Sequence, residues 1–465
     1  MLYGRKVIYT DVTEITRQNI VSVLGDAFIT HQINRQDIQT LDDYYRGKQK
    51  IIDKVKEVRP EINHKICVNY ANEIVSFKVG FYVGKPIQYI SMNSEDGVSD
   101  SVTRLNDVMR YIGMETLNRE LVEWQMKCGV GYRLVLPNSS KLERIPFKVW
   151  TLDPKNTFVI RDNTFAHNII AGVYYVTDIN GNVTFTVYTD TKCYEVKNSA
   201  SMSVTRVTDN PIGMIPIIEY PANTARLGAF EIVIPLMDAI NELESNRLDS
   251  IQQFVESLLV AYNCNFEDGT TANTIREAGM IVLRSIGEAK ADVKVISEVL
   301  DQSNTQTFKT DLVDALCEIV GMPQQSNNTS DSSNNGAVYL KNGWQGAETR
   351  AEEFEMMFKQ PEMQMLKIVS IICDKLAEFS FDPIDIDIKF TRRQYEDLLS
   401  KSQTLVTLLN SKYVHPKCAY AASGLFTDAE DAYRMGMEFQ KGIDESVKEE
   451  PTKEVVIEDE PSSNG

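Results

Sequence analysis

From Glu231 to Val260 apolar residues return every three to four positions, through Val233, Met237, Ile240, Leu243, Ile251, Phe254 and Leu258, with Arg247 in the same register. Thirty helical residues at 1.5 Å each make a rod of about 45 Å, and such a rod restricts what can be built around it. A second helix is expected from about Asn304 to Val320, through Phe308, Leu312, Ala315, Leu316 and Ile319. Between the two, Tyr262 to Ser297 is compact. Alternation at Tyr262, Cys264 and Phe266 predicts a strand, a short helix is expected around Thr274 to Ala278, and further strands at Met280 to Arg284 and Val293 to Ser297. Two long helices bracketing a small α/β tip make a stalk with a foot.

The rest of the chain reads as an α+β fold. Asp11 to Met92 is expected to be largely helical, with a turn at Tyr44 to Lys48 and an amphipathic helix through Ile74, Phe77 and Val79 that leads by a glycine exit into a strand at Gln88 to Met92. After Gly129 come strand-like runs at Tyr132 to Leu136, Phe147 to Thr151, Thr157 to Ile160, Ile169 to Val176, Val183 to Tyr188 and Cys193 to Val196, with the turn pair Asn180-Gly181 between two of them. This block should be antiparallel. Beyond the stalk, Met322 to Gly336 has one charge, Asp331, and amides or hydroxyls at almost every other position; a loop that polar stays out of the core. A helix is predicted over Ala337 to Ser380 with a kink at Pro361, then an alternating strand at Pro383 to Phe390, then helices over Arg393 to Leu409, from near Pro416, and over Asp428 to Gln440. Thr427 and Glu430 have the spacing of a capping box for that last helix.

Composition narrows the function. The formal charge of −18 argues against ordinary duplex binding, which depends on lysine and arginine releasing counterions. No run of 18 uninterrupted apolar residues occurs, so no membrane span is expected, and the mixed charge of the first twenty residues predicts no signal peptide. Seven scattered cysteines without a CxxC pair predict reduced thiols and no cysteine zinc site. The four histidines are isolated, which leaves no H-x-x-x-H pair. Gly80-Phe81-Tyr82-Val83-Gly84-Lys85-Pro86 looks like a phosphate-binding loop but has three residues between its glycines where four are needed, and Pro86 in place of the magnesium-binding hydroxyl. Asp385 and Asp387 could share a metal in a DNA-cleaving enzyme, yet with no histidine or third acid close by they read better as a solvated strand face. No cofactor is expected.

Tyr44-Tyr45-Arg46-Gly47-Lys48, Asn69-Tyr70-Ala71, Val79 to Pro86 and Ile386-Asp387-Ile388-Lys389-Phe390, in this order and beside a stalk, foot and polar loop, make the chain resemble a portal protein. Portal proteins are the head-to-tail connectors of tailed double-stranded DNA bacteriophages; this resemblance is to the type found in long-tailed phages of Gram-positive hosts and spans about residues 15 to 440. One departure is Tyr413-Val414-His415-Pro416, where a turn rich in serine and threonine would be expected. The resemblance implies a ring, typically of twelve subunits, at one capsid vertex of the virion, assembled in the host cytoplasm. It implies a wing over 1–228, a stem helix over 229–261, a clip over 262–300, a second stem helix over 301–321 and a tunnel loop over 322–336. A kinked helix and wing strand over 337–392, a helical crown over 393–441 and a disordered acidic tail over 442–465 would complete the chain.

In that frame Gln324, Gln325, Asn327, Asn328, Asn334 and Asn335 would face DNA in the channel, touching it by weak hydrogen bonds that do not trap it. Arg276, Glu277, Arg284 and Glu288 of the clip would meet the terminase large subunit or the head-completion adaptor protein. Major capsid and scaffolding proteins would be further partners. A chain of this kind is not an enzyme, so the motor must be a separate protein. The purified chain is expected to hydrolyse ATP at background rate in a coupled assay, with Lys85→Ala unchanged; turnover that disappears with Lys85 would overturn the reading of the 80–86 segment.

Overall fold

The computed structural model describes residues 4–57, 59–92, 96–138, 145–199, 201–255, 258–262, 264–265, 284–285, 292–296, 302–323, 343–376, 379–392, 398–411, 413–426 and 429–448. Helix α1 (Ile20–Tyr45) buries Ile20, Val23, Leu24, Ala27 and His31 at helical spacing. That face lies on a six-stranded sheet with order β1-β5-β6-β7-β8-β9. Its strands are β1 (Tyr9–Thr10), β5 (Thr157–Asp162), β6 (Ile169–Thr177), β7 (Val183–Tyr188), β8 (Lys192–Asn198) and β9 (Met202–Asp209). The hairpins are antiparallel as expected, while β1 joins β5 in parallel. The Asn180-Gly181 turn is tied by the Asp178 carboxylate, which accepts from the amides of Asn180 and Asn182 at 2.8 Å each.

The larger core is built around a second sheet, β10-β3-β4, formed by β3 (Val130–Pro137), β4 (Phe147–Leu152) and β10 (Ile217–Pro221). Helices α2 (Tyr70–Val83), α3 (Asp96–Tyr111) and α4 (Met114–Cys128) pack with it in one apolar cluster. Two strands distant in sequence, β2 (Gln88–Ser91) and β15 (Ile386–Lys389), pair antiparallel, so that Ile386 and Ile388 are buried as the alternation at Pro383 to Phe390 predicts. Helices α5 (Ile234–Val255) and α6 (Gln302–Val320) are followed by the long helix α7 (Trp344–Leu376), which has Pro361 inside it. Then come α8 (Leu398–Leu409), α9 (Pro416–Ser423) and α10 (Ala429–Lys448). Among the described residues no helix is long and apolar enough to cross a membrane.

Where α7 crosses the β10-β3-β4 sheet, Arg133 and Glu362 pair at 2.7 Å with both side chains fully buried. Tyr220 donates to the same carboxylate at 2.8 Å and Tyr89 at 2.5 Å, and Arg133 also donates to Asn118. Strands β2, β3 and β10 and helices α4 and α7 therefore meet at one charged point. Burial, then the adjacent carboxylate, pushes both tyrosines well above their ordinary value, so they remain hydrogen-bond donors.

Four parts of the fold differ from expectation. Residues 46–69 are not helical apart from a 3-10 turn at Lys50–Asp53, because their backbone donors are satisfied by side chains of another helix. The helix expected to reach Val260 stops at Val255, and Leu258–Tyr262 is strand β11 instead, paired with β14 (Asp292–Ile296). Its apolar run finds a partner strand in which Val293, Val295 and Ile296 are β-branched, and that pairing overrides the helical spacing of Leu258. The sequence reading assigned no elements to α3, α4, β9 or β10. Finally, α10 runs on to Lys448, past Gly442 where the tail was expected to begin. Residues 256–257, 324–342 and 449–465 lie outside the described residues.

Removing one partner of a buried ion pair strands the other charge. Glu362→Ala should therefore cost about 3–5 kcal/mol of unfolding free energy in a denaturant titration, and the paired change Arg133→Met with Glu362→Leu should recover most of it. Equal losses in the single and double variants would show that the pair does not organise this core.

Candidate functional site

Of the clip and loop residues singled out for function, Arg284 lies among the described residues. Arg284 opens β13 (Arg284–Ser285), which pairs with β12 (Cys264–Asn265). Arg276, Glu277 and Glu288 lie outside the described residues, as do Gln324, Gln325, Asn327, Asn328, Asn334, Asn335 and the capping-box residue Thr427. The described structure shows how the α5/α6 pair is held and where it delivers the chain.

Helix α5 is fixed on two sides. Toward α6, Glu244 pairs with Lys309 at 2.6 Å and Arg247 donates to Gln306 at 3.0 Å. On the other side an extended strap, 63–68, runs antiparallel to the helix. The amides of Val68, Ile66 and His64 donate to the side chains of Asn241, Ser245 and Asp249 at 2.8, 2.9 and 2.7 Å. The two periods match: alternate amides of a strand repeat every 6.6 Å or so, and every fourth residue of a helix repeats at about 6.0 Å. Asn241, Ser245 and Asp249 are buried polar residues for this reason. Asp249 also accepts from Lys54 at 2.9 Å, Lys56 at 3.2 Å and the His64 ring at 2.9 Å. Burial alone would raise its carboxyl, but the His64 amide and these side chains outweigh burial and hold it well below the usual carboxylate range.

Helix α6 stops in a Schellman-type turn: Met322 N–H reaches the Cys317 carbonyl at 2.9 Å while Gly321 takes φ +69°. A side chain at Gly321 would also collide with that of Arg350. The chain is described as far as Pro323 and again from Gly343, whose Cβ position would lie 4.0 Å from Pro323 Cα. Both ends of the polar segment 324–342 thus emerge at one place. There Trp344 packs against Phe77 and Phe81 of α2, with ring centroids 6.2 and 5.9 Å apart. The 80–86 segment therefore lies beside the base of the polar segment. Gly84 caps α2 where a side chain would strike the Gly80 carbonyl, and Lys85 points to solvent. Lys78, nearly two turns earlier, is buried against Tyr82; burial, then the Arg350 charge, pulls it down to about 8.

The two strand carboxylates are not brought together as a metal site. Asp385 sits in the 3-10 turn before β15, and Asp387 is paired with Lys389 at 2.8 Å and Lys359 at 3.4 Å. Among the described residues no group of three or more histidines, cysteines or carboxylates could hold a metal. The strap was missed in the sequence, although a signal exists: Asn241, Ser245 and Asp249 recur every four residues opposite the alternating Ile62, His64, Ile66 and Val68. Asp249→Ala should lower stability by about 2 kcal/mol at neutral pH. Because the carboxyl is depressed in the folded chain, its contribution is present above its ordinary value of about 4 and fades as pH falls below that. The gap between wild type and variant in thermal midpoint should close on acidification; a constant gap from pH 7 to pH 3 would rule out the ionised carboxylate as the source.

Comparison with known proteins places this architecture. The family model described as phage portal protein, SPP1 Gp6-like, matches residues 27–445. No curated protein sequence matches. Among solved structures, a chain in the neck of an empty gene transfer agent particle, computed with C6 symmetry, is 11% identical with a TM-score of 0.43, over 76% of this chain and 90% of that one. A chain in the virion of a native gene transfer agent particle is likewise 11% identical with a TM-score of 0.43, over 84% of this chain and 94% of that one. With the family model spanning both the stalk and the sheets on either side of it, the chain belongs to the SPP1 Gp6-like phage portal proteins.

Proposed function

We propose that this portal protein works as one subunit of a closed ring, of about twelve copies as in its family, set at one vertex of the capsid and enclosing a channel for double-stranded DNA during packaging and ejection. In this reading the α5/α6 pair is the stem, 262–300 the clip that docks the terminase large subunit and later an adaptor protein, 322–336 the tunnel loop, and α8 to α10 the crown. Capsid and scaffolding proteins would meet the outer face. The chain itself is a structural conduit, and no observation favours the metal-dependent nuclease.

The observation that carries the reading is the pinned exit at Pro323 and Gly343. A glycine-capped helix end and an aromatic-anchored helix start present the polar segment from one rigid point, which is what a ring needs to hold twelve equivalent loops at one height. Gln324, Gln325, Asn327, Asn328, Asn334 and Asn335 offer a duplex only neutral hydrogen bonds, each of which breaks easily as the strand advances. The acidic balance acts the same way, since a polyanion gains no counterion release from such a wall.

Deleting 326–335 tests this directly. Mass photometry should show rings for both wild type and deletion, while DNA packaging or retention in assembled heads falls at least several-fold for the deletion alone. A wild-type chain that stays at 52.7 kDa at micromolar concentration would defeat the ring reading. Loss of rings on deletion would mean that the segment belongs to an interface.

A further inference from the structure

We infer that the basic stretch 46–65 is a subunit contact that docks on the acidic outer face of α6 in a second copy of this chain. The inference rests on the ring reading above and names which surfaces meet. Residues 46–65 carry seven lysines and arginines against three carboxylates, a net charge of +4 inside a chain of −18. Part of that charge is used internally, by Lys54 and Lys56 on Asp249. Arg46 and Lys48, paired within the chain to Asp42 and Asp43, stay exposed together with Lys65 and with Lys50, which has no ion pair among the described residues; Asp53, Glu57 and Glu61 are the exposed carboxylates of the stretch. Beside them Ile52 and Val55 stand in solvent, Val55 at 83% exposure. Cations interleaved with uncovered aliphatic side chains fit a protein surface that is itself acidic and partly apolar.

The chain carries such a surface. At 100° per residue, Leu312, Leu316 and Val320 turn one side of α6 to the core, and Asp311, Asp314 and Glu318 fall within about 60° of one another on the opposite side, all exposed. Phe308 and Ile319 lie on the flank between, also exposed. The two surfaces are separated by α5. Its strap-binding residues, Asn241, Ser245 and Asp249, and its α6-binding residues, Glu244 and Arg247, occupy roughly opposite sides of that helix. Each copy therefore presents a basic face on one flank and an acidic face on the other. Two different, mutually complementary faces generate head-to-tail contacts, the kind that close into a ring when the rotation fits. Opposite potentials also steer the approach and penalise the reversed orientation, in which like charges would meet. A nucleic acid is the poorer occupant, because the remainder of the chain would repel it.

The full-length chain tests the inference by charge reversal. Lys48→Glu with Lys50→Glu should raise the concentration at which half of the chain is assembled about tenfold, read by mass photometry, and should steepen the loss of rings with salt. Asp311→Lys with Glu318→Lys should do the same. All four changes in one chain should restore assembly toward wild type, since every interface again pairs opposite charges. Lys50→Ala, the mildest change, should shift assembly in the same direction, and circular dichroism of the dissociated subunits should be unaltered. If wild type forms rings and the variants assemble as it does, or if the quadruple variant is worse than either pair, the proposed contact is wrong while the ring stands. If the Lys48 and Lys50 variants keep their rings and lose only binding to a duplex oligonucleotide, the occupant is DNA and the contact is refuted. A wild type that never assembles refutes the ring reading itself.

Discussion

Arg133 and Glu362 are the point on which the larger core depends. Their pairing lies between a sheet and the longest helix, and its neighbours Tyr89, Tyr220 and Asn118 come from three further elements. An ion pair of this kind adds little net stability over an apolar replacement, because desolvation consumes most of the attraction. Its effect is on register. A carboxylate that accepts from Arg133, Tyr89 and Tyr220 fixes where α7 sits along the sheet, and sliding the helix by one residue would leave each donor without its acceptor. Pro361 immediately before Glu362 removes one helix donor, so the helix bears its irregularity where its polar bonds to the sheet are densest.

A second polar device does comparable work on α5. Among the described helices α1, α2, α4 and α7 are held by apolar faces, whereas α5 beyond Ile240 is held by the amides of a strap. Such attachment depends on direction and spacing, and it lets the helix leave the apolar core without losing its anchor. The helix pair can then carry exposed carboxylates, with Phe308 and Ile319 beside them, on the side of α6 turned from the core. Glu231 provides a similar tie at the start of the helix, where it pairs with buried Arg5 at 2.7 Å.

Much of this was legible in the sequence because the signals were local. Alternation at Ile386 and Ile388, the turn at Asn180-Gly181 and the helix into Gly84 depend on neighbours within a few residues, and each appears where the pattern put it. The strap was not legible. His64, Ile66 and Val68 look like a poor helix until their amides meet acceptors nearly two hundred residues away. The end of α5 was misplaced for a related reason: Leu258 fits the helical period, and only the partner strand at Ile296 turns it into β11. The candidate site was legible as a composition, a nearly uncharged stretch rich in amides, while the geometry at its base was not. Nothing in Pro323 and Gly343 individually announces that they lie together.

That closeness has a consequence for the linking chain. Two anchors held this close set no minimum reach for the chain that joins them, since a single residue already spans about 3.8 Å. The body fixes where the chain leaves and where it returns, at Pro323 and Gly343. Both anchors belong to elements held independently of that stretch, α6 by its turn at Gly321 and α7 by Trp344 against Phe77 and Phe81.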